Sequence, residues 1–163
     1  MPARLDRWRA LPADERRLLL GLALLLPAIG GALRCLGVRR TYRLLGRPVA
    51  SAGVESTVPL AAQASAVRLG QLLDIASRHG PYSATCLRQS LSLWWLLRRR
   101  GLPAELRIGV AKGDAQLQAH AWVELAGRVI NDRAAVADDY AAYHDLDRRL
   151  PRRVDVRLGT LGR

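Results

Sequence analysis

The chain has 163 residues, half of them hydrophobic, and 26 Lys and Arg against 14 Asp and Glu give a formal charge of +12. That length supports one domain with a real core and excludes two large ones, while the hydrophobic content excludes a disordered polymer. Two cysteines, Cys35 and Cys86, are too few for a disulfide framework or a thiolate metal cluster, and a reducing, cytosolic setting fits them.

Lys112 is the only lysine; every other basic residue is arginine. The surplus creates a positive field that favours acidic peptides, anionic membrane faces or nucleic acid. Arg98-Arg99-Arg100 falls in the last turn of a predicted helix, where cations suit the macrodipole. No zinc-finger spacing or aromatic RNA-binding motif accompanies it, so no nucleic-acid partner is expected.

Taken in chain order, the first element is the uncharged run at 18–33, LLLGLALLLPAIGGAL. It falls short of the roughly 20 residues of a spanning helix, and Pro27 and Gly30-Gly31 interrupt it. It lacks a small-x-small cleavage site of the kind that ends a signal peptide. One or two buried helices packed on the domain are expected, with peripheral membrane contact through Leu-rich and Arg-rich faces left open. Residues 34–60 read as a short helix and a linker with Pro48 and Pro59. Residues 61–79 read as a helix whose stripe is Val67, Leu69, Leu72, Leu73 and Ala76, stopped by Gly80-Pro81.

The stretch 82–101, YSATCLRQSLSLWWLLRRRG, predicts a second amphipathic helix with Leu87, Leu91, Trp94 and Trp95 on its buried face. Ser83 is the expected N-cap, placing Cys86 at the third helical position, and Gly101-Leu102-Pro103 is the stop. Period-two alternation follows. Ala104, Leu106, Ile108 and Val110 face one way, and Glu105 and Arg107 the other. After a turn at Lys112-Gly113-Asp114, residues 117–125 (LQAHAWVEL) alternate again. Leu117, Ala119, Ala121 and Val123 share one face there; Gln118, His120, Trp122 and Glu124 share the other. A helix followed by an antiparallel meander is an α+β layout.

Three residues in this layout carry chemistry. A hairpin with the three-residue loop Leu125-Ala126-Gly127 would pair Glu124 with Arg128 and therefore His120 with Asp132. Directly opposite residues share a face with Cβ atoms about 4.5–5.5 Å apart, close enough for a carboxylate to orient an imidazole. A two-residue loop would instead put Asp132 on the other face. Cys86, in the first turn of its helix, lies near unpaired N–H groups and the positive end of the dipole, an environment that favours a thiolate. A cysteine in an apolar helix is ordinarily a core residue, and a single strand histidine is ordinarily structural. Their conjunction with an apposed aspartate points to a nucleophile. Cys, His and Asp also bind zinc, but no close-spaced ligand pair such as C-x-x-C is present, so no metal and no cofactor is expected.

The motifs Cys86-Leu-Arg-Gln-Ser-Leu, the stretch from Arg99 to Val110 and Ala119-His-Ala-Trp-Val-Glu124 with Asn131-Asp132 resemble the leader peptidases of lasso-peptide biosynthesis, the transglutaminase-like "B" proteins. The likeness runs over residues 69–132. It implies a papain-like or transglutaminase-like cysteine protease fold, with the nucleophile helix packed on an antiparallel sheet. It also implies Cys86, His120 and Asp132 as the catalytic triad, with the Cys86 backbone N–H as an oxyanion donor. The implied activity is removal of the leader from a ribosomally made precursor. An ATP-dependent asparagine-synthetase-like enzyme would then close the macrolactam. Some relatives carry a fused winged-helix leader-binding domain; residues 1–60 are Leu- and Arg-rich instead, so a separate small leader-binding protein is the expected partner. Residues 61–163 are then the protease domain, and 1–60 an added helical segment. The expected localisation is cytoplasmic, with membrane association left open. Two other activities fit the residues: a non-catalytic leader-binding adaptor, and transglutaminase-like acyl transfer to an amine.

Trp122 shares the His120 face, and is a candidate substrate-site residue that could shield the His–Asp hydrogen bond; plain packing accounts for it equally well. Cys35 is expected to be an inert core thiol, His79 a helix-end cation, His144 a surface residue, and Asp138, Asp139, Asp145 and Asp147 a solvated acidic face.

Overall fold

The computed structural model of the chain describes residues 12–46, 58–79, 85–112 and 117–143. Its elements are α1 (Ala13–Leu45), α2 (Leu60–His79), α3 (Cys86–Arg99), β1 (Ala104–Lys112), β2 (Leu117–Leu125), β3 (Arg128–Val129), α4 (Val136–Asp139) and β4 (Ala141–Tyr143). The sheet has the order β3-β2-β1-β4, and every neighbouring pair is antiparallel. The fold is mixed α+β. Ser83, Gly80-Pro81, Gly113-Asp114, His144, Asp145 and Asp147 lie outside the described residues, as does the His79 side chain.

α1 corrects the sequence reading. It continues through Pro27 and Gly30-Gly31, and its one non-helical residue is Gly37, with φ +76°. By length and composition it is long and apolar enough to cross a membrane. One face is nevertheless committed to the domain: Leu19, Leu22, Leu26 and Ile29 are buried where α1 packs on α2 and α3. Two side-chain pairs fasten it. Glu15 is bonded by both Arg68 Nε and Nη2 of α2, and Tyr42 stacks on Trp94 of α3 with ring centroids 4.7 Å apart. Leu20 and Leu24, on the outer face, stay 57% and 75% exposed, and Cys35 is exposed rather than buried in the core.

α3 is covered by α1 and α2 on one side and by β1 and β2 on the other. That explains why it buries Ser90 and Ser92 as well as Leu87, Leu91, Leu93, Trp94 and Leu97. Its end matches the expected stop. Gly101 adopts φ +76°, the Gly101 amide donates to the Arg98 carbonyl and the Leu102 amide to that of Leu97, a Schellman ending. Arg98 and Arg99 fold back over the rings of Trp94 and Trp95, at 5.7 and 5.0 Å from the ring centroids. The arginine triplet therefore begins with two residues engaged by aromatic faces.

The β2–β3 hairpin also departs from expectation. Leu125 pairs with Arg128 and Glu124 with Val129, so the loop has two residues, Ala126 and Gly127. Both have positive φ, 50° and 73°. A two-residue turn of this kind needs left-handed backbone at each central position, which alanine disfavours. In place of the expected three-residue loop, the ladder closes on two.

Candidate active site

Thr85, not Ser83, caps α3. Its side chain accepts from the Arg88 amide, which makes Cys86 the first residue of the helix. Leu87 and Leu91 of the same helix are buried, and the helix packs against α1, α2, β1 and β2, so the thiol is carried on an element held from several sides. Cys86 itself is 4% exposed. Its backbone N–H stands in the first turn, where amides have no carbonyl partner within the helix.

His120 and Asp132 meet. Nε2 of the imidazole lies 2.6 Å from Asp132 Oδ2, and the other carboxylate oxygen accepts the Arg133 amide at 2.7 Å. The Cys86 side chain lies close enough to the same imidazole to act on its charge. With Nε2 engaged by Asp132, Nδ1 is the nitrogen left for the thiol. Sulfur, imidazole and carboxylate thus cluster at one place, with the imidazole and carboxylate hydrogen-bonded, and the side chains of His120 and Asp132 remain 13% and 19% exposed.

The route to this contact is not the one the sequence argument assumed. In the observed register, continued pairing would set Asp132 opposite Ala121, on the face that packs against α3. The chain leaves the ladder first. Ile130 still donates to the Val123 carbonyl, but the Val123 amide is taken by the Asn131 side chain at 2.8 Å. Residues 130–132 then bend, and Asp132 reaches His120 from outside the strand.

Behind the imidazole sits an aromatic wall. Trp122 is fully buried, with its ring 6.3 Å from that of His120 and nearly parallel to it, and Tyr140 lies 5.2 Å from the imidazole. The Trp122 indole N–H donates to Glu124 Oε1 at 2.8 Å; Glu124 accepts Arg107 Nε, and Arg107 also pairs with Glu105. Enclosed in this way, Trp122 backs the histidine rather than offering an open contact surface.

Electrostatics follow the geometry. The Asp132 carboxylate first, and the Cys86 side chain second, raise His120 to about 9 despite its burial. For Asp132, burial pushes upward, but hydrogen bonds from His120 and the Arg133 amide outweigh it and leave the carboxyl below its ordinary range. At neutral pH the imidazole therefore holds both ring protons beside an ionised carboxylate. A cysteine sulfur next to an imidazolium that can release a proton has the parts acyl transfer requires: nucleophile, acid–base and orienting anion. Among the described residues no group of three or more His, Cys, Asp or Glu is arranged to hold a metal ion.

Sequence reasoning missed Ser90 and the role of Asn131. Ser90 Oγ donates to the Ala121 carbonyl at 2.8 Å and accepts Asn131 Nδ2 at 2.9 Å. The signal was a serine on an otherwise apolar helix face, one turn after Cys86. Tyr140 gave no such signal. Of the acidic residues 138 and 139, Asp139 pairs with Arg133.

This set of a thiol, imidazole and carboxylate, on a helix start, a strand and the bend after a hairpin, is the equipment of a cysteine-dependent acyl-transfer enzyme. The chain belongs to the transglutaminase-like superfamily, whose family model matches residues 32–145 and so spans Cys86, His120 and Asp132. That membership supports a cysteine-protease-like or acyl-transfer activity at a coarse level. Neither the curated proteins nor the solved structures gave a significant match to the chain.

Proposed function

We propose that the chain is a cysteine endopeptidase that removes the leader from a ribosomally made lasso-peptide precursor. The observation that carries the proposal is the convergence of Cys86 and Asp132 on His120, with the imidazole bonded to the carboxylate at 2.6 Å. The motif likeness to the leader peptidases and the superfamily match support it.

In this reading Cys86 attacks as its thiolate, the proton being already on His120. Its Sγ bonds to the carbonyl carbon at the leader–core junction while the Cys86 N–H supports the developing oxyanion. His120 donates its proton to the leaving amine of the core peptide, which is why an imidazole protonated at neutral pH suits the first step. Now neutral, His120 takes a proton from water, which attacks the thioester and releases the leader as a carboxylate. Asp132 holds the ring throughout, and Trp122 shields that hydrogen bond from solvent.

Residues 61–163 would form the peptidase domain and residues 1–60 an accessory helical segment. The proposed partners are the precursor, a separate winged-helix leader-binding protein and an ATP-dependent asparagine-synthetase-like macrolactam synthetase. The setting is cytoplasmic, with the outer face of α1 touching a membrane surface.

Incubation of the chain with precursor and leader-binding protein, read by mass spectrometry, tests the proposal. Wild type should release an intact leader ending in a free carboxylate, and Cys86→Ala none. Cleavage that survives the substitution removes Cys86 from the role. Amide-linked products in place of the carboxylate would favour acyl transfer to an amine, the second activity that the superfamily supports. An adaptor would bind the leader and leave the precursor whole.

A further inference from the structure

We infer that Asn131, braced by Ser90, is a positioning residue that turns the chain out of the β2–β3 ladder and sets the Asp132 carboxylate on His120. Three hydrogen bonds carry the inference. Asn131 Oδ1 accepts the Val123 amide at 2.8 Å, Asn131 Nδ2 donates to Ser90 Oγ at 2.9 Å, and Ser90 Oγ donates to the Ala121 carbonyl at 2.8 Å. Ser90 is fully buried. The carboxamide therefore supplies the acceptor that a continuing strand would have given Val123, and lets the backbone bend without stranding a buried amide. Without that exit, the register carries Asp132 opposite Ala121, into the apolar layer under α3. Close packing makes the bend tight: a Cβ added at Gly70 of α2 would meet the Ile130 carbonyl oxygen at 3.3 Å.

Ser90 also lies one turn beyond Cys86 on α3. The brace therefore ties the helix that bears the sulfur to the bend that bears the carboxylate. Around the imidazole stand Cys86 from α3, Asp132 from the bend and Tyr140 from the segment after α4. Of these, Asp132 is adjacent to Asn131 in the chain and is the one its hydrogen bonds place most directly.

The inference rests on the proposed triad for its consequence in catalysis, but two readouts need no peptide. In a Cys35→Ser background, the exposed second thiol is removed. The His120 ring titration is then followed by NMR, and Cys86 alkylation by iodoacetamide is timed at pH 7. Asn131→Ala and Ser90→Ala should each lower the His120 midpoint by about one unit or more, towards the ordinary value near 6.5, and slow alkylation. In an Asp132→Ala background, adding Asn131→Ala should change the alkylation rate by less than about 2-fold, because the residue acts through Asp132. An unchanged midpoint in both folded variants, or losses that multiply in the double variant, would overturn the inference. Should Asn131→Ala fail to fold, Ser90→Ala carries the test, since it leaves the Val123–Asn131 bond in place. With precursor added, Asn131→Ala should lose on the order of 10²-fold in kcat/KM. A titration shift in a protein whose wild type never cleaves precursor sinks the peptidase reading and leaves the positioning role standing.

Discussion

Gly109 lies against the Trp122 ring: a Cβ at this position would stand 3.0 Å from two ring atoms and 2.6 Å from Tyr140 Cβ. Gly109 also pairs across the ladder with His120. A methyl there cannot be absorbed by a flexible chain end, since the obstacles are a fully buried ring and a Cβ. Gly109→Ala should cost about 1–3 kcal/mol of stability. Gly30 is the control. Its nearest obstacle is the guanidinium end of Arg88, at 2.7 Å, and it lies within α1. Moving that end should let Gly30→Ala recover helix propensity, leaving stability within about 1 kcal/mol of wild type. Urea denaturation of both variants would check the ranking.

The Ala126-Gly127 turn stores avoidable strain, because Ala126 holds φ +50°. Asparagine tolerates left-handed backbone better and is favoured before glycine in such turns. Ala126→Asn should stabilise the chain by about 0.5–1 kcal/mol. A lowered denaturation midpoint would count against the two-residue turn.

Stability should depend on pH through the His120–Asp132 pair. The folded state raises His120 from 6.5 to about 9, so its contribution is complete below pH 6.5 and lost as pH rises through 9. Asp132 is lowered from 3.8, so its contribution is present above that value and lost as pH falls through the lower folded one. The pair is therefore strongest from about pH 4 to 6.5. Thermal melts should show the largest gap between wild type and Asp132→Asn at pH 5–6, closing by about pH 10. A gap that does not vary over that range would be incompatible with the pairing. The proposed peptidase activity should fade on the alkaline side near pH 9 as the proton donor is lost, with Asp132→Asn moving that limb to lower pH.

The outer face of α1 offers exposed Leu20 and Leu24 between Arg17 and Arg34. Apolar side chains flanked by arginines suit an anionic lipid surface. Sedimentation with phosphatidylglycerol vesicles should capture wild type, and Leu20→Gln/Leu24→Gln should weaken that capture while activity in solution stays intact. Equal capture of both would remove α1 from membrane contact.

The parts legible in the sequence were those governed by local periodicity. The apolar faces of α2 and α3, the Gly101 stop and the alternation of β1 and β2 all reflect side-chain spacing, which needs no tertiary information. The length of α1 was not legible, because Pro27 and Gly30-Gly31 weaken a helix locally, and packing of Leu22, Leu26 and Ile29 overrides them. The convergence of His120 and Asp132 was anticipated on a premise that proved false. The loop is one residue shorter than assumed, and the contact survives because Asn131 leads the chain out of the sheet. A side chain standing in for a strand leaves no periodic mark. Nor does a glycine that makes room for two aromatic rings.

The enclosure of α3 by two helices and two strands separates two kinds of evolutionary freedom. Interior volume restrains most positions on the helix that carries Cys86, so few substitutions there escape a packing cost. Positions at the periphery meet no such constraint, and substitutions there are cheap. Interior and periphery of the same short polypeptide therefore tolerate change very differently.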